Sequence, residues 1–136
     1  RPETVFGADL IAGFPTETEE MFLNTVKLVE ECDLTFLHVF PFSPRTGTPA
    51  ARMPQVEKQI IKERAKILRN LGEKKLSEHF EKLKNKKISV IVENDNRART
   101  DSFAKVSLDR DYPSGEILNM IVTGKDEFGL IGKVVA

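Results

Sequence analysis

The sequence predicts an α/β unit followed by an all-β unit. Two apolar runs, residues 7–13 and 34–42, flank a stretch of helical period at residues 17–32. A lysine-rich stretch of helical character follows at 55–84. Beyond residue 86 the apolar residues fall into short clusters separated by polar or Gly/Pro turns. The expected division is residues 1–70 and 71–136.

The first strand centres on Leu10-Ile11-Ala12, a run of the kind covered on both faces in a parallel sheet. Gly13 allows a sharp exit, and Pro15 keeps Phe14 out of helical geometry. Thr16 or Thr18 is placed to cap the next helix, with Glu19 completing a capping box from Thr16. Phe22, Val26 and Val29 form the apolar stripe of that helix, and Glu17, Glu19 and Glu20 suit its N-terminal dipole. The second strand then makes a βαβ unit with parallel strands. Its C-terminal end opens into Ser43-Pro44-Arg45-Thr46-Gly47-Thr48-Pro49, a loop of turn formers. Both strand ends should share one edge, where α/β proteins place ligands.

In the long helix, Ile60, Ile61, Ile67, Leu68 and Leu71 give one apolar stripe, and Leu76, Phe80 and Leu83 give another, with a break expected near Gly72. Arg64, Lys66, Arg69, Lys74, Lys75, Lys82 and Lys84 should form a basic exterior, with His79 solvated on it. Four or more strands follow, at 88–92, 104–108, 117–123 and 130–135, and their spacing predicts a small antiparallel barrel.

The 136 residues carry 21 basic and 21 acidic side chains, so total charge excludes little. Its distribution is more telling: residues 57–87 carry +6, residues 1–56 carry −4 and residues 88–136 carry −2. The one cysteine, Cys32, excludes an internal disulfide and suggests a reducing, cytoplasmic setting. No apolar run is long enough to span a bilayer. The start at Arg1-Pro2, close to the first strand, suggests a piece of a longer chain. A partial sheet would expose an open edge and apolar faces, so self-association is expected.

Two motifs in tandem narrow the reading. Asp9-Leu10-Ile11-Ala12-Gly13-Phe14-Pro15-Thr16-Glu17-Thr18-Glu19 resembles the fifth-strand motif of radical S-adenosylmethionine methylthiotransferases. His38 to Met53, through Ser43-Pro44-Arg45, resembles the loop these enzymes carry after the sixth strand. The all-β tail resembles the TRAM domain, a small OB-like RNA-binding barrel. The resemblance thus implies the last strands and helices of a radical-SAM (β/α) barrel, joined to TRAM. The His-Val-Phe-Pro run looks most like the branch acting on N6-threonylcarbamoyladenosine in transfer RNA. The isopentenyladenosine and ribosomal-protein branches are the alternatives. Such enzymes use S-adenosylmethionine and two 4Fe-4S clusters, whose thiolates lie upstream in the family. Cys32 alone cannot supply them, so no cofactor is expected bound by this chain, and no activity from it alone.

The resemblance also implies site residues. Ile11 and Gly13 would flank the cofactor's adenine, and Pro41 and Phe42 would support it from the end of the second strand. Arg45 could pair with a cofactor carboxylate or an RNA phosphate. Glu17 is expected to be structural, and His38 a satisfied structural histidine. In the tail, Arg97, Arg99, Phe103 and Lys105 could hold phosphates and stack on a base of transfer RNA. A plain RNA-binding module without catalysis is the competing reading.

Overall fold

The structure, a computed structural model, describes residues 1–135. It divides into two compact units: Val5–Leu76, and Arg1–Thr4 with the chain from Ser77 onward.

In the first unit, β1 (Gly7–Ala12) and β2 (Phe36–Pro41) pair in parallel, from Gly7 opposite Phe36 to Ala12 opposite Pro41. Between them runs α1 (Glu19–Glu31). Its cap is Thr18, whose Oγ1 accepts from the Met21 N–H at 3.2 Å. Thr16 does not cap and there is no capping box from it. It sits at φ 71° within the turn that precedes the helix. After a 3-10 turn at Ala50–Arg52 comes α2 (Lys58–Leu83). The helix runs unbroken through Gly72, where a Cβ would come within 3.3 Å of Leu37 Cβ. Gly72 lets the helix approach β2 closely rather than breaking it.

The core of this unit joins Ala12, Phe22, Ala65 and Leu68, flanked by Leu10, Val26 and Val39. Full burial of a side chain such as Phe22 or Leu68 contributes about 1.5–3 kcal/mol. Only one face of the β1–β2 pair is covered. The alternate residues Asp9, Ile11, His38 and Phe40 are exposed, Ile11 at 54% and Phe40 at 52%. The expected two-faced burial of Leu10-Ile11-Ala12 is therefore incorrect here, and His38, expected as a satisfied structural histidine, is exposed.

Two cations expected on the exterior of α2 are buried instead. Arg64 Nη1 donates to Glu17 Oε1 at 2.8 Å and to the Glu17 carbonyl at 3.0 Å, and its Nη2 reaches Glu19 at 3.3 Å. Its guanidinium carbon lies 5.5 Å from the centre of the Phe22 ring. Lys75 Nζ is held by Asp33 at 2.5 Å and by Glu30 at 3.9 Å. Helical spacing alone cannot separate a cation facing water from one facing an acidic partner far away in sequence.

The second unit contains a closed five-stranded barrel in the order β3 (Lys87–Asn94), β4 (Arg97–Thr100), β5 (Lys105–Ser107), β7 (Leu130–Val135), β6 (Ile117–Lys125). Val90, Val92, Ala98, Val106, Met120, Val122 and Leu130 fill its interior at 2% exposure or less. The expectation of a purely antiparallel barrel is corrected: β5 and β7 pair in parallel, Val106 opposite Leu130. That pairing closes the barrel between strands distant in sequence. Nor was β4 recognisable as a strand, because its inward residues are only Ala98 and Thr100. On α2, His79 is half-buried beside Phe80, with ring centres 6.2 Å apart, rather than solvated.

Arg64 and Glu17 retain 8% and 11% side-chain exposure, so removing one partner strands the other charge. Arg64→Ala is expected to destabilise the Val5–Leu76 unit by about 3–5 kcal/mol. Urea unfolding measures it; a change below about 1 kcal/mol would make the pair incidental.

Candidate functional site

Within Val5–Leu76 the five residues anticipated around a cofactor separate into four environments. Ile11 lies on the open face of the β1–β2 pair, opposite Phe40. Gly13 lies at the strand exit, buried, at φ 78°. A Cβ there would overlap Ile61 Cγ1, so the missing side chain makes room for α2. The Gly13 N–H donates to Glu17 Oε1 at 3.1 Å, which is the same oxygen that accepts from Arg64. Glu17 thereby ties the strand exit to the helix that packs over it.

Pro41 and Phe42 line a cavity of about 560 Å³ between the end of β2 and α2. Its apolar surface comes from these two with Pro44, Val56, Ile61 and Ala65. The Phe42 ring meets Phe14 edge-on at 5.5 Å, and the Phe42 N–H donates to the Ala12 carbonyl at 2.8 Å. Arg45 is exposed in the loop and does not line the cavity. Its carbonyl accepts from Thr48 Oγ1 at 2.8 Å, so the backbone of the Ser-Pro-Arg loop is fixed while the guanidinium stays in solvent.

In the barrel, the pairing registers place Ile117, Ile91, Arg99 and Lys105 in one transverse row over β6, β3, β4 and β5. Ile117 is 73% exposed. Phe103, at φ 65° and 72% exposed, projects from the β4–β5 turn. The two arginines are already engaged. Arg99 Nε donates to Glu93 at 2.7 Å and its Nη1 to the Phe103 carbonyl at 3.2 Å. The Arg99 hydrogen bond is the main reason the Glu93 carboxyl sits below its ordinary range. Arg97 Nη1 donates to Ser107 at 2.5 Å, and its guanidinium carbon lies 3.9 Å from the centre of the Phe128 ring. Lys105 approaches the same ring at 5.5 Å. Phe128 organises this cluster and went unnoticed in the sequence. The signal was there in Asp126-Glu127-Phe128-Gly129, a turn that presents an aromatic residue.

No family model matches the chain. Curated relatives do. Threonylcarbamoyladenosine tRNA methylthiotransferase of Rickettsia prowazekii is 54% identical over 127 residues, 93% of this chain and 30% of that protein. Relatives of this name and relatives named tRNA-2-methylthio-N(6)-dimethylallyladenosine synthase both cover most of the chain. The threonylcarbamoyladenosine tRNA methylthiotransferase of Bacillus subtilis is 33% identical over 98% of the chain and 28% of its own length. The tRNA-2-methylthio-N(6)-dimethylallyladenosine synthase of Oceanobacillus iheyensis is also 33% identical over 98% of the chain, but over 24% of itself. The chain thus spans less than a third of the relatives it matches.

Among the described residues, no group of three or more His, Cys, Asp or Glu side chains is placed to hold a metal ion. Cys32 is exposed at the C-cap of α1. One thiol does not fit an iron–sulfur cluster, which takes three or four. No helix among the described residues is long and apolar enough to cross a membrane.

Gly13→Ala is expected to cost about 2–4 kcal/mol, from the left-handed φ and the overlap with Ile61. Adding Ile61→Ala should not restore stability, because the backbone strain remains; full restoration in urea unfolding would leave only a steric role. In the barrel, Asp126 Oδ1 accepts from the Phe128 and Gly129 N–H groups at 2.8 and 2.9 Å. The Gly129 bond is the main cause that lowers the Asp126 pKa. A depressed carboxyl stabilises the fold above its unfolded-state pKa, and that contribution disappears as pH falls through the folded value. The stability gap between wild type and Asp126→Ala should therefore hold at neutral pH and narrow on acidification below the ordinary aspartate range. A gap independent of pH in thermal melts would contradict it.

Proposed function

We propose that this chain serves as the C-terminal part of a methylthiotransferase that adds a methylthio group to N6-threonylcarbamoyladenosine next to the anticodon of transfer RNA. The observation that carries this is the 54% identity with the Rickettsia protein over 93% of the chain. The strand and loop motifs and the barrel tail support it, in the order this family has them. In this reading Val5–Leu76 supplies the closing strands and helices of a radical-SAM barrel, and the barrel tail is a TRAM domain.

The open face of β1–β2 suits one wall of a cofactor pocket. Ile11 offers an apolar surface at the C-terminal strand end, and Phe14 and Phe42 close that end with their rings edge to face. Gly13 and Glu17 hold the backbone edge in place. S-adenosylmethionine and two 4Fe-4S clusters supply the radical and sulfur chemistry in the full-length enzyme. The chain's own residues position the wall, and the thiolates must come from elsewhere. Alone, the chain is expected to lack methylthiotransferase activity, and its exposed apolar face favours self-association.

The barrel offers RNA the Phe103 ring and the Lys105 ammonium, with Arg97 and Arg99 acting as supports that hold Phe128, Ser107 and the β4–β5 turn. A catalytically silent RNA-binding module is the second reading, favoured by the lone cysteine. Mass spectrometry of transfer RNA from cells lacking the gene tests the assignment. The methylthio group should vanish from threonylcarbamoyladenosine and remain on isopentenyladenosine. Loss from the isopentenyl nucleoside instead assigns the other branch, and loss from neither contradicts the reading.

A further inference from the structure

We infer that the cavity between the β2 exit loop and α2 is a second RNA-binding site, one that seats a nucleotide base and follows the adjoining phosphates. The inference rests on the transfer RNA reading above and deepens it. The cavity has about 560 Å³ of space. Three cations line it, Lys58, Lys62 and Arg69, and no acidic side chain does. Among the described residues none of the three makes a hydrogen bond or ion pair, in contrast to Arg64 and Lys75 on the same helix. Glu63, the nearest acid in sequence to Lys62, is turned to Gln59 at 3.1 Å.

The spacing of the cations decides the class of ligand. Positions 58, 62 and 69 fall on one stripe of α2, because intervals of four and eleven residues return to nearly the same helical angle. At 1.5 Å per residue the outer two are about 16 Å apart along the axis. A row of that length matches a polyanion with repeating charges, not a single carboxylate. Lys58 is also the first residue of α2, where the helix dipole adds positive potential. The floor beneath the row contains the Phe42 ring and the flat faces of Pro41 and Pro44, surfaces on which a base can stack. An acidic peptide would use the charges but not the aromatic floor.

The test is fluorescence anisotropy with a labelled transfer RNA anticodon stem–loop, titrated with the 136-residue chain over a range of salt. The slope of log K against log salt should fall by about 0.7–0.9 for each of Lys58→Ala and Lys62→Ala. Lys66→Ala, on the exposed side of α2 outside the cavity, should change it far less. Phe42→Leu should weaken binding by about fivefold or more while leaving the slope unchanged. An unchanged slope in the lysine variants, with binding still lost in Lys105→Ala, would overturn this site and leave the RNA reading standing. No binding by the wild-type chain would overturn both. Equal loss in Lys66→Ala would show diffuse charge and overturn the site. Displacement of the RNA by an acidic peptide that depends on both lysines but not on Phe42 would assign the cavity to a protein partner and overturn it as well.

Discussion

One carboxylate oxygen, Glu17 Oε1, holds the first unit together. It accepts from the Gly13 N–H at the end of β1 and from Arg64 on α2, residues separated by 47 positions from Glu17 in the latter case. At the strand exit Gly13 and Thr16 both take positive φ, and Gly13 lies beyond the end of β1 and before the Thr18 cap of α1. Its backbone amide therefore needs a side-chain acceptor, and an acceptor at low exposure needs a cation. Arg64 supplies the charge and donates to the Glu17 carbonyl as well. Its Nε stays buried without a hydrogen-bond partner, a cost offset by the Phe22 ring and the two short bonds. Pro41–Phe42 is held next to Ala12 by the strand register and by the Phe42 N–H, which donates to the Ala12 carbonyl beside this clamp.

The charges of α2 divide by what they face. Arg64 and Lys75 are spent inside the unit on Glu17, Glu19, Glu30 and Asp33. Lys58, Lys62 and Arg69 remain around the cavity. The +6 of residues 57–87 is therefore not a uniform basic face. Part of it is neutralised inside the fold and part lines the cavity. In the barrel the same split occurs: Arg97 and Arg99 serve the turn and Phe128, while Lys105 and Phe103 face outward. In both units some cations are tied to protein groups, Arg64 and Lys75 in the first and Arg97 and Arg99 in the second.

Much of this was legible in the sequence. The βαβ order, the parallel pairing and the change to short strands after residue 86 follow from apolar periodicity, which local sequence records. The β5–β7 parallel closure was not legible, because it joins strands separated by β6 and carries no local signature. Nor was β4, whose interior residues are too small to read as an apolar face. Glu17 was correctly read as structural, but its partner Arg64 was placed on the outside, since a 47-residue contact leaves no trace in helical spacing. Of the anticipated site residues, Pro41 and Phe42 share a cavity, and Ile11, Gly13 and Arg45 do not join them there. Exposed apolar faces were expected of a partial sheet, but not which residues would carry them, because the apolar run at Leu10-Ile11-Ala12 looks the same whether one side or both are covered.

The Glu17 clamp, rather than the loop itself, fixes the strand exit. Native-state hydrogen exchange of the Gly13 amide tests it most directly. This amide should exchange as slowly as the Phe42 amide and open only with the whole unit, and Glu17→Gln should accelerate it selectively. Fast exchange of Gly13 in the wild-type chain, at a rate typical of solvent-exposed loops, would contradict it.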